Sequence, residues 1–388
     1  MEKIALVAIA YNRVNSLKRL LNSLQRAYYD EDVNVPLIIS IDKSDTEDVL
    51  RLANEFHWNH GDKSVLSHAE NLGLKAHVLS QGKLLEEFDA IVVLEDDVVV
   101  ARDFLYYVRQ CVRKYQDNDK VAGISLYSFS VEYHNRHPFI PLRDGNDVYF
   151  MNCAMSWGQV WMKNAWAKFE KWLSSHQSFC VSSALPQSIC SWGDKSWLKF
   201  HTRYCIEENK YFVFPYVSYS TNFSDCGVHI SSENTIYQVP LLQGRKRQLC
   251  LPDSVEDGIC YDGFFENKIL YDVLKLKPEE CCLDLYANNP NQESKRFWLT
   301  PRNLPYRVVK SFSMEMRPVE ANVLESMVDG DGLFLYDTTV RDSSVKVVGR
   351  PVLLAQYFVQ NMFLFVREYG YVNVVRDFFK VVKDKFGL

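Results

Sequence analysis

The stretch that decides the fold spans residues 88–100. Its sequence is Phe88-Asp89-Ala90-Ile91-Val92-Val93-Leu94-Glu95-Asp96-Asp97-Val98-Val99-Val100. The short apolar run, rich in β-branched side chains, predicts a strand that is buried on both faces, as in the centre of an α/β sheet. Three carboxylates follow directly. Because an unpaired buried charge is costly, these carboxylates need either partners or solvent.

Two interpretations of the acidic triplet remain open on these residues alone. Open α/β sheets bind ligands at the carboxyl ends of their strands. Mg²⁺ and Mn²⁺ take oxygen ligands and often keep phosphate oxygens among them. The triplet therefore predicts a divalent-cation site, and the alternative is a solvated acidic turn.

Composition and charge limit the function classes. The chain has 388 residues, of which 47% are hydrophobic and 14% aromatic, so it is globular. Its formal net charge of -5 argues against a nucleic-acid partner. Ten cysteines occur without the paired spacing of a zinc site.

Targeting signals are not evident in the sequence. The apolar run that follows Met1-Glu2-Lys3 is too short for a secretory signal. The most apolar later stretch, residues 351–366, is interrupted by Gln356, Gln360 and Asn361, which argues against a membrane span. We therefore expect a cytoplasmic protein with reduced thiols, in which Cys281 and Cys282 are packing residues.

Strands and helices alternate over residues 1–130. The pattern predicts strands at 3–10, 36–41, 65–67 and 120–126, and helices at 16–27, 46–56, 71–85 and 103–114. Such alternation predicts an α/β fold with a mainly parallel sheet flanked by helices. No glycine-rich phosphate loop opens the first helix, so side chains and a metal would have to hold a nucleotide. Arg13 after the first strand and Asp42 after the second suit that role.

Residues 148–245 are rich in aromatic side chains. Residues 149–161 predict one strand, and residues 164–173 predict a helix whose Trp166, Phe169 and Trp172 face the core. Asp194 follows, within Cys190-Ser191-Trp192-Gly193-Asp194-Lys195-Ser196-Trp197. Indole rings suit a sugar site, which makes Asp194 a candidate catalytic acid. The alternative is that the tryptophans are core residues and Asp194 caps a helix.

The remaining residues predict a mixed α+β C-terminal region. Strands are expected at 308–316 and 333–336 around a helix at 319–328, and helices at 353–367 and 371–386 close the chain. The expected domains are 1–245, with halves 1–130 and 148–245, and an extension of unknown role at 246–388. The last helix is basic and amphipathic, so it is either a packed closing helix or a weak contact with an anionic membrane.

Six short motifs, in this order, resemble the GT-A glycosyltransferases, and family 13, the N-acetylglucosaminyltransferases, most closely. The likeness covers residues 4–242. The motifs are Ala10-Tyr11-Asn12-Arg13, Ile39-Ser40-Ile41-Asp42, Glu95-Asp96-Asp97-Val98-Val99-Val100, Ser156-Trp157-Gly158, Trp192-Gly193-Asp194-Lys195-Ser196-Trp197 and Gly227-Val228-His229.

The resemblance implies a role for each matching residue in the donor site. Asp97 would hold Mn²⁺ or Mg²⁺, Arg13 would lie near the donor phosphates, and Asp42 would contact the uracil. The other donor-site residues that it implies are Glu95, Asp96 and His229.

The resemblance also implies that Asp194 is the catalytic base. This chain has Gly193 where the family has a second acid. The implied reaction is an inverting, metal-dependent transfer from a nucleotide sugar to a glycan or lipid-linked glycan. UDP-N-acetylglucosamine is the first donor to consider. The alternatives are a sugar-nucleotide pyrophosphorylase and a non-catalytic binding module.

Overall fold

The computed structural model describes residues 2–30, 34–182, 184–193, 195–223, 225, 237–325 and 329–342, and separate residues between 366 and 379. Its N-terminal part alternates strands with helices, as the sequence predicts. The elements are β1 (Ile4–Ala10), α1 (Val14–Gln25), β2 (Leu37–Ile41), α2 (Asp48–Glu55), β3 (Lys63–Ser67), α3 (Leu74–Ser80), β4 (Ala90–Glu95), β5 (Val98–Val100), α4 (Phe104–Tyr115) and β6 (Val121–Ser125).

The second part of the chain adds strands on the other side of β4. The elements are β7 (Val148–Met151), β8 (Gln159–Met162), α5 (Lys163–Ser175), α6 (Gln187–Cys190), α7 (Leu198–Glu207), β9 (Tyr211–Pro215) and β10 (Ser220–Asn222). The C-terminal part contains β11 (Cys260–Tyr261), α8 (Ile269–Leu274), β12 (Cys281–Leu283), β13 (Phe297–Thr300), β14 (Tyr306–Phe312), α9 (Ala321–Leu324) and β15 (Leu333–Arg341).

One nine-stranded sheet organises the fold, in the order β11-β7-β9-β6-β8-β4-β1-β2-β3. β1 pairs in parallel with both β2 and β4, and β2 pairs in parallel with β3. β8 is antiparallel to its neighbours β4 and β6. The expected α/β fold with a mainly parallel sheet flanked by helices, of the GT-A type, is confirmed.

The position of β4 in this sheet sets the position of the acidic triplet. Residues Ala90 to Leu94 are all buried, as expected for a central strand. In the parallel pair of β1 and β4, Ile9 lies opposite Glu95. The residues that follow each of these strands therefore emerge side by side at the carboxyl edge of the sheet.

Helix α1 packs its apolar face on the sheet. Leu17, Leu20, Leu21 and Leu24 are fully buried, and each contributes roughly 1.5–3 kcal/mol relative to an exposed side chain. The residue at the N-cap is Arg13, whose side chain makes no capping hydrogen bond. A Ser, Thr, Asp or Asn there would stabilise the helix by about 1 kcal/mol. The side chain of Arg13 instead makes its contacts outside the helix.

The opposite face of the sheet is covered by aromatic side chains, and the predicted orientation of α5 is confirmed. Trp166, Phe169 and Trp172 are buried. The Trp166 ring stacks on Trp161 of β8 with 3.8 Å between centroids. These contacts explain why this stretch of sequence is so rich in tryptophan.

The prediction of a single strand at residues 149–161 is wrong. The segment forms two strands, and they take separate places in the sheet. β7 lies between β11 and β9, and β8 lies between β6 and β4. Gly158 just before β8 has φ +91°, a conformation that residues with a Cβ rarely adopt. The continuous run of apolar residues conceals this break because both strands are buried.

The C-terminal part is a mixed α+β region, as expected. β11 adds an edge to the large sheet, and a separate four-stranded sheet has the order β12-β13-β15-β14. Cys281 and Cys282 are buried in β12. The predicted helices 353–367 and 371–386 lie largely outside the described residues. Within the described ranges, no helix has the length and apolar character needed to cross a bilayer.

His201 in α7 provides a test of the aromatic core. Its ring stacks on Phe169 with 4.1 Å between centroids, and neither ring nitrogen has a hydrogen-bond partner among the described residues. Burial lowers its pKa to about 3. The unfolded chain binds a proton below a pH of about 6.5, whereas the folded chain does not. Stability is therefore lost as the pH falls from the unfolded pKa towards the folded pKa.

We expect His201→Phe to remove this acid sensitivity. Between pH 7 and pH 5 the wild type should lose about 2 kcal/mol more unfolding free energy than the variant. Urea unfolding at the two pH values measures this difference, and comparison within each protein cancels any effect of repacking. An equal pH dependence in the two proteins would contradict the interpretation.

Candidate active site

The carboxyl edge of the sheet brings Arg13 between two acids of the triplet. Its Nε donates to Asp96 Oδ2 at 3.3 Å, and a second nitrogen pairs with Asp96 Oδ1. The same guanidinium lies 3.3 Å from Asp97 Oδ2. The Arg13 side chain is 25% exposed, and those of Asp96 and Asp97 are 5% and 14% exposed. Two carboxylates thus share one cation in a poorly solvated position, and the interpretation as a solvated acidic turn is not supported.

Burial affects two acids of the triplet strongly. Burial, together with the charges of Asp97 and Asp96, raises the pKa of Glu95 to about 8, while Arg13 and a hydrogen bond with Trp197 act in the other direction. Burial also raises the pKa of Asp96 to about 6, although Arg13 lowers it. Burial at this edge of the sheet therefore opposes negative charge on both side chains.

Asp97 has the free acceptor that a cation requires. Its Oδ1 is buried and has no hydrogen-bond partner among the described residues. A buried carboxylate oxygen without a partner is costly, which indicates a missing positive partner. In the part of the chain that the structure describes, no three His, Cys, Asp or Glu side chains form a ligand cage. Asp97 therefore fits an Mg²⁺ or Mn²⁺ ion that takes its other ligands from phosphate and water.

Asp42 lies at the end of β2, where the sequence places it, but its carboxylate is already engaged. Oδ1 accepts from the backbone N–H of Lys43 at 3.0 Å and of Leu72 at 2.8 Å, and Oδ2 accepts from Gly73 at 2.9 Å. These bonds keep residues 71–73 out of the helix, so α3 begins only at Leu74. The prediction that this helix spans 71–85 is wrong for this reason, and also because the turn Gln81–Glu86 is a 3₁₀ helix. Contact of Asp42 with a base stays a prediction.

A second arginine was missed by the sequence analysis. Arg19 of α1 lies over the Phe223 ring at 3.8 Å and pairs with Asp225. Ser16 Oγ donates to the same Asp225 oxygen at 2.7 Å. The sequence did contain an indication that Arg19 belongs with Arg13, because residues 13, 16 and 19 have the spacing of one helix face. The backbone N–H of Phe223 donates to Asp97 O at 2.7 Å, so this group adjoins the triplet.

Two residues implied by the resemblance, Asp194 and His229, lie outside the described residues. The flanking Trp197 is described: its side chain is 2% exposed, and its indole hydrogen-bonds to Glu95. The segment that follows Asp194 is therefore attached to the acidic triplet. The catalytic role of Asp194 and the donor contact of His229 stay predictions.

Residues 6–166 match the family described as Glycosyl transferase family 2. The match covers less than half of the chain and contains Arg13, Asp42 and the triplet. The class of protein that the fold and this match define is a glycosyltransferase with a GT-A domain. The pyrophosphorylase and the non-catalytic module are thereby set aside. The match is to family 2, so the particular likeness to family 13 is not confirmed.

Among solved structures, the chain is similar to S. aureus TarS 1-349 in complex with UDP-GlcNAc, with 12% identity and a TM-score of 0.40 over 60% of this chain and 62% of that one. It is also similar to the mannosyltransferase PcManGT from Pyrobaculum calidifontis in complex with GDP-Man and Mn²⁺, with 12% identity and a TM-score of 0.34 over 56% and 57% of the two chains. The chain thus spans less than two-thirds of either structure, and TM-scores this low carry no inference about substrate. No curated protein sequence matches the chain.

The three hydrogen bonds that the Asp42 carboxylate accepts should stabilise the fold. Asp42→Asn replaces one accepting oxygen by a donor that faces backbone N–H groups. We expect the unfolding free energy to fall by about 1–3 kcal/mol, the usual cost of an unpaired buried group. Urea unfolding measures this loss, and Asp45→Asn, at an exposed position nearby, is the matched control.

Calorimetry of the same variant with UDP and GDP tests whether Asp42 contacts the nucleotide base. If Asp42 contacts the base, Asp42→Asn changes the ratio of the two affinities. If Asp42 only positions residues 71–73, both affinities fall by the same factor. Unchanged stability together with unchanged affinities would contradict both roles.

Proposed function

We propose that the chain is a metal-dependent, inverting glycosyltransferase that moves a sugar from a UDP-sugar to a glycan or lipid-linked glycan acceptor. The observation that carries the proposal is the unpartnered Oδ1 of Asp97 beside Arg13 at the carboxyl edge of the sheet. This edge is where open α/β sheets bind their ligands. A free carboxylate oxygen next to a guanidinium suits a metal ion and a diphosphate bound together.

In this proposal Asp97 holds Mn²⁺ or Mg²⁺, and Arg13 and Arg19 bind the diphosphate. When bound, the metal stabilises the negative charge that grows on the departing nucleoside diphosphate. The guanidinium groups are suited to phosphate because each is planar and presents several donors in fixed directions. Both are paired with acids in the structure: Arg13 with Asp96 and Asp97, and Arg19 with Asp225.

The remaining acids have distinct assignments. Glu95, whose pKa is raised by burial, contacts the donor or keeps its contact with Trp197. Asp96 holds Arg13 in place. Asp42 supports residues 71–73 at the base end, and His229 completes the donor site. Asp194 takes the proton from the acceptor hydroxyl, and a positioned base of this kind is typically worth about 10² to 10⁴ in rate.

The donor and the location are part of the same proposal. UDP-N-acetylglucosamine is the donor suggested by the likeness to family 13. In this proposal the enzyme acts in the cytoplasm in polysaccharide synthesis, and residues 371–386, for which the sequence predicts a basic amphipathic helix, attach weakly to the inner face of the membrane. Sedimentation with anionic vesicles at low salt tests the attachment, and a protein that stays in solution would contradict it.

A thermal-shift screen tests the donor. UDP, GDP, UDP-N-acetylglucosamine and GDP-mannose are each added with and without Mn²⁺. Ligands that bind only the folded state raise its melting temperature. We expect the largest rise with a uridine nucleotide and Mn²⁺ together. A rise that is the same without Mn²⁺ would contradict the metal dependence.

Two variants separate the metal acid from the base. Asp97→Asn should abolish Mn²⁺-dependent UDP binding and sugar transfer together. Asp194→Asn should leave UDP binding nearly intact while transfer falls by about 10² or more. Calorimetry with UDP and a transfer assay measure the two effects, and both replacements are nearly isosteric.

Wild-type behaviour of either variant would contradict the role proposed for that residue. If Asp97→Asn keeps full metal-dependent binding, the end of β4 is not the metal site. If Asp194→Asn transfers sugar at the wild-type rate, the base lies elsewhere, and Asp225 or Glu233 is the next candidate.

A further inference from the structure

The outer face of α1 forms a basic groove that begins beside the active site. A hollow of about 510 Å³ is lined by Asn15, Lys18, Arg19, Asn22, Gln25 and Arg26. We call it the α1 groove. Three of these side chains are cationic and three are amides, and none is acidic or apolar. The whole chain has a net charge of -5, so this groove is a local exception.

One of the three cations in the α1 groove is neutralised, because Arg19 pairs with Asp225. Within the described residues, Lys18 and Arg26 have no carboxylate partner, and Arg26 Nε donates to Asn22 O at 3.2 Å. Exposed helix faces usually mix both signs, with ion pairs along the helix. The lining of the α1 groove contains no acid.

A second hollow provides the contrast. It has a volume of about 370 Å³ and lies against α5, with Lys168 and Lys171 in its lining. Here Lys168 pairs with Asp119, and Asn164 Nδ2 donates to Asp117 Oδ1 at 3.2 Å. The lining of this hollow thus includes an acid, Asp117, whereas the lining of the α1 groove includes none.

The amide side chains of the α1 groove add neutral hydrogen-bonding groups beside the cations. Asn15, Asn22 and Gln25 line it together with Lys18 and Arg26. An amide can both donate and accept, as a sugar hydroxyl can, so a chain of sugar units could bond to these side chains.

The α1 groove is continuous with the proposed donor site. Arg19, which pairs with Asp225 next to the triplet, also lines the groove. α1 has 12 residues and therefore spans about 18 Å. Beyond its end, Arg245 lies over the Tyr28 ring at 3.9 Å, and Tyr28 N–H donates to Arg102 O at 2.8 Å. One further cation, that of Arg245, thus lies just beyond the end of the groove.

We propose that the α1 groove binds the acceptor, and that the acceptor is an anionic glycan bearing carboxylate or phosphate groups. This inference rests on the proposed function, because it assigns the substrate class of that reaction. Lys18 and Arg26 bind the negative groups of the acceptor, and Asn15, Asn22 and Gln25 bind its hydroxyl groups. Charge complementarity of this kind selects one class of acceptor over neutral chains.

A membrane surface fits the α1 groove less well. Interfacial helices insert apolar side chains below the headgroups. The exposed side chains of α1 are Asn15, Lys18, Asn22 and Arg26, and none of them is apolar. The surface is also a hollow, which suits a chain better than a flat bilayer.

The test uses the full chain with Lys18→Gln and Arg26→Gln combined. The matched control combines Lys168→Gln and Lys171→Gln, which removes the same charge from the hollow at α5. The probes are dextran sulfate and unmodified dextran of equal length, and vesicles of phosphatidylglycerol. Binding is measured by calorimetry or sedimentation at low salt, where surface charge is least screened. UDP binding with Mn²⁺ is measured for each protein as well.

We expect the wild type to bind dextran sulfate and not dextran. The α1 variant should bind dextran sulfate at least about tenfold more weakly, as expected when two charged hydrogen-bond donors are lost. The α5 variant should bind like the wild type, and all three proteins should bind UDP alike.

Other outcomes overturn the proposal. Equal losses in the two variants would mean that binding reflects general surface charge, and equal binding of dextran would mean that anionic groups are not recognised. Binding to vesicles that is lost in the α1 variant, without binding to dextran sulfate, would make the surface a membrane contact. Absence of UDP binding in the wild type would count against the proposed function, independently of the α1 groove.

Discussion

The contact on which the site depends is that of Arg13 with Asp96 and Asp97. The two carboxylates are neighbours in the chain, and Arg13 reaches both because β1 and β4 are adjacent strands that end at the same edge of the sheet. Without a cation between them, like charges at this distance in a poorly solvated position would destabilise the fold. Arg13 supplies that cation, but one guanidinium cannot satisfy both acids. Asp97 Oδ1 has no hydrogen-bond partner among the described residues, and the proposed metal ion would supply one.

The contacts around the acidic triplet are those expected next to a concentration of negative charge. Burial and the neighbouring acids raise the pKa of Glu95, which opposes a further negative charge in the triplet. The hydrogen bond between Trp197 and Glu95 attaches the segment that follows Asp194 to β4. Arg19 and Asp225 form a second ion pair next to the triplet. Arg13 and Arg19 are thus each held by an acid that the proposed diphosphate could replace.

Sequence alone could predict the parts of this site that depend on local pattern. The burial of β4, the apolar face of α1 and the inward tryptophans of α5 follow from periodicity, which is a property of neighbouring residues. The engagement of Asp42 by Leu72 and Gly73 could not be predicted, because those partners depend on how a loop returns to the end of β2. The break between β7 and β8, just before Gly158, could not be predicted from the sequence either. Both strands are buried, so hydrophobicity does not change where the chain leaves one and enters the other.

Helix α1 shows how stability and function are divided between the faces of one element. Its four leucines fix the rotation of the helix about its axis, since any other rotation would expose them. That rotation places Arg13 and Arg19 towards the triplet and leaves Lys18 and Arg26 on the outer face. Each residue turns the helix by about 100°, so a single insertion in α1 would move either the leucines or the arginines out of place. Core packing therefore determines the positions of the charges, and the charges themselves need not contribute to stability.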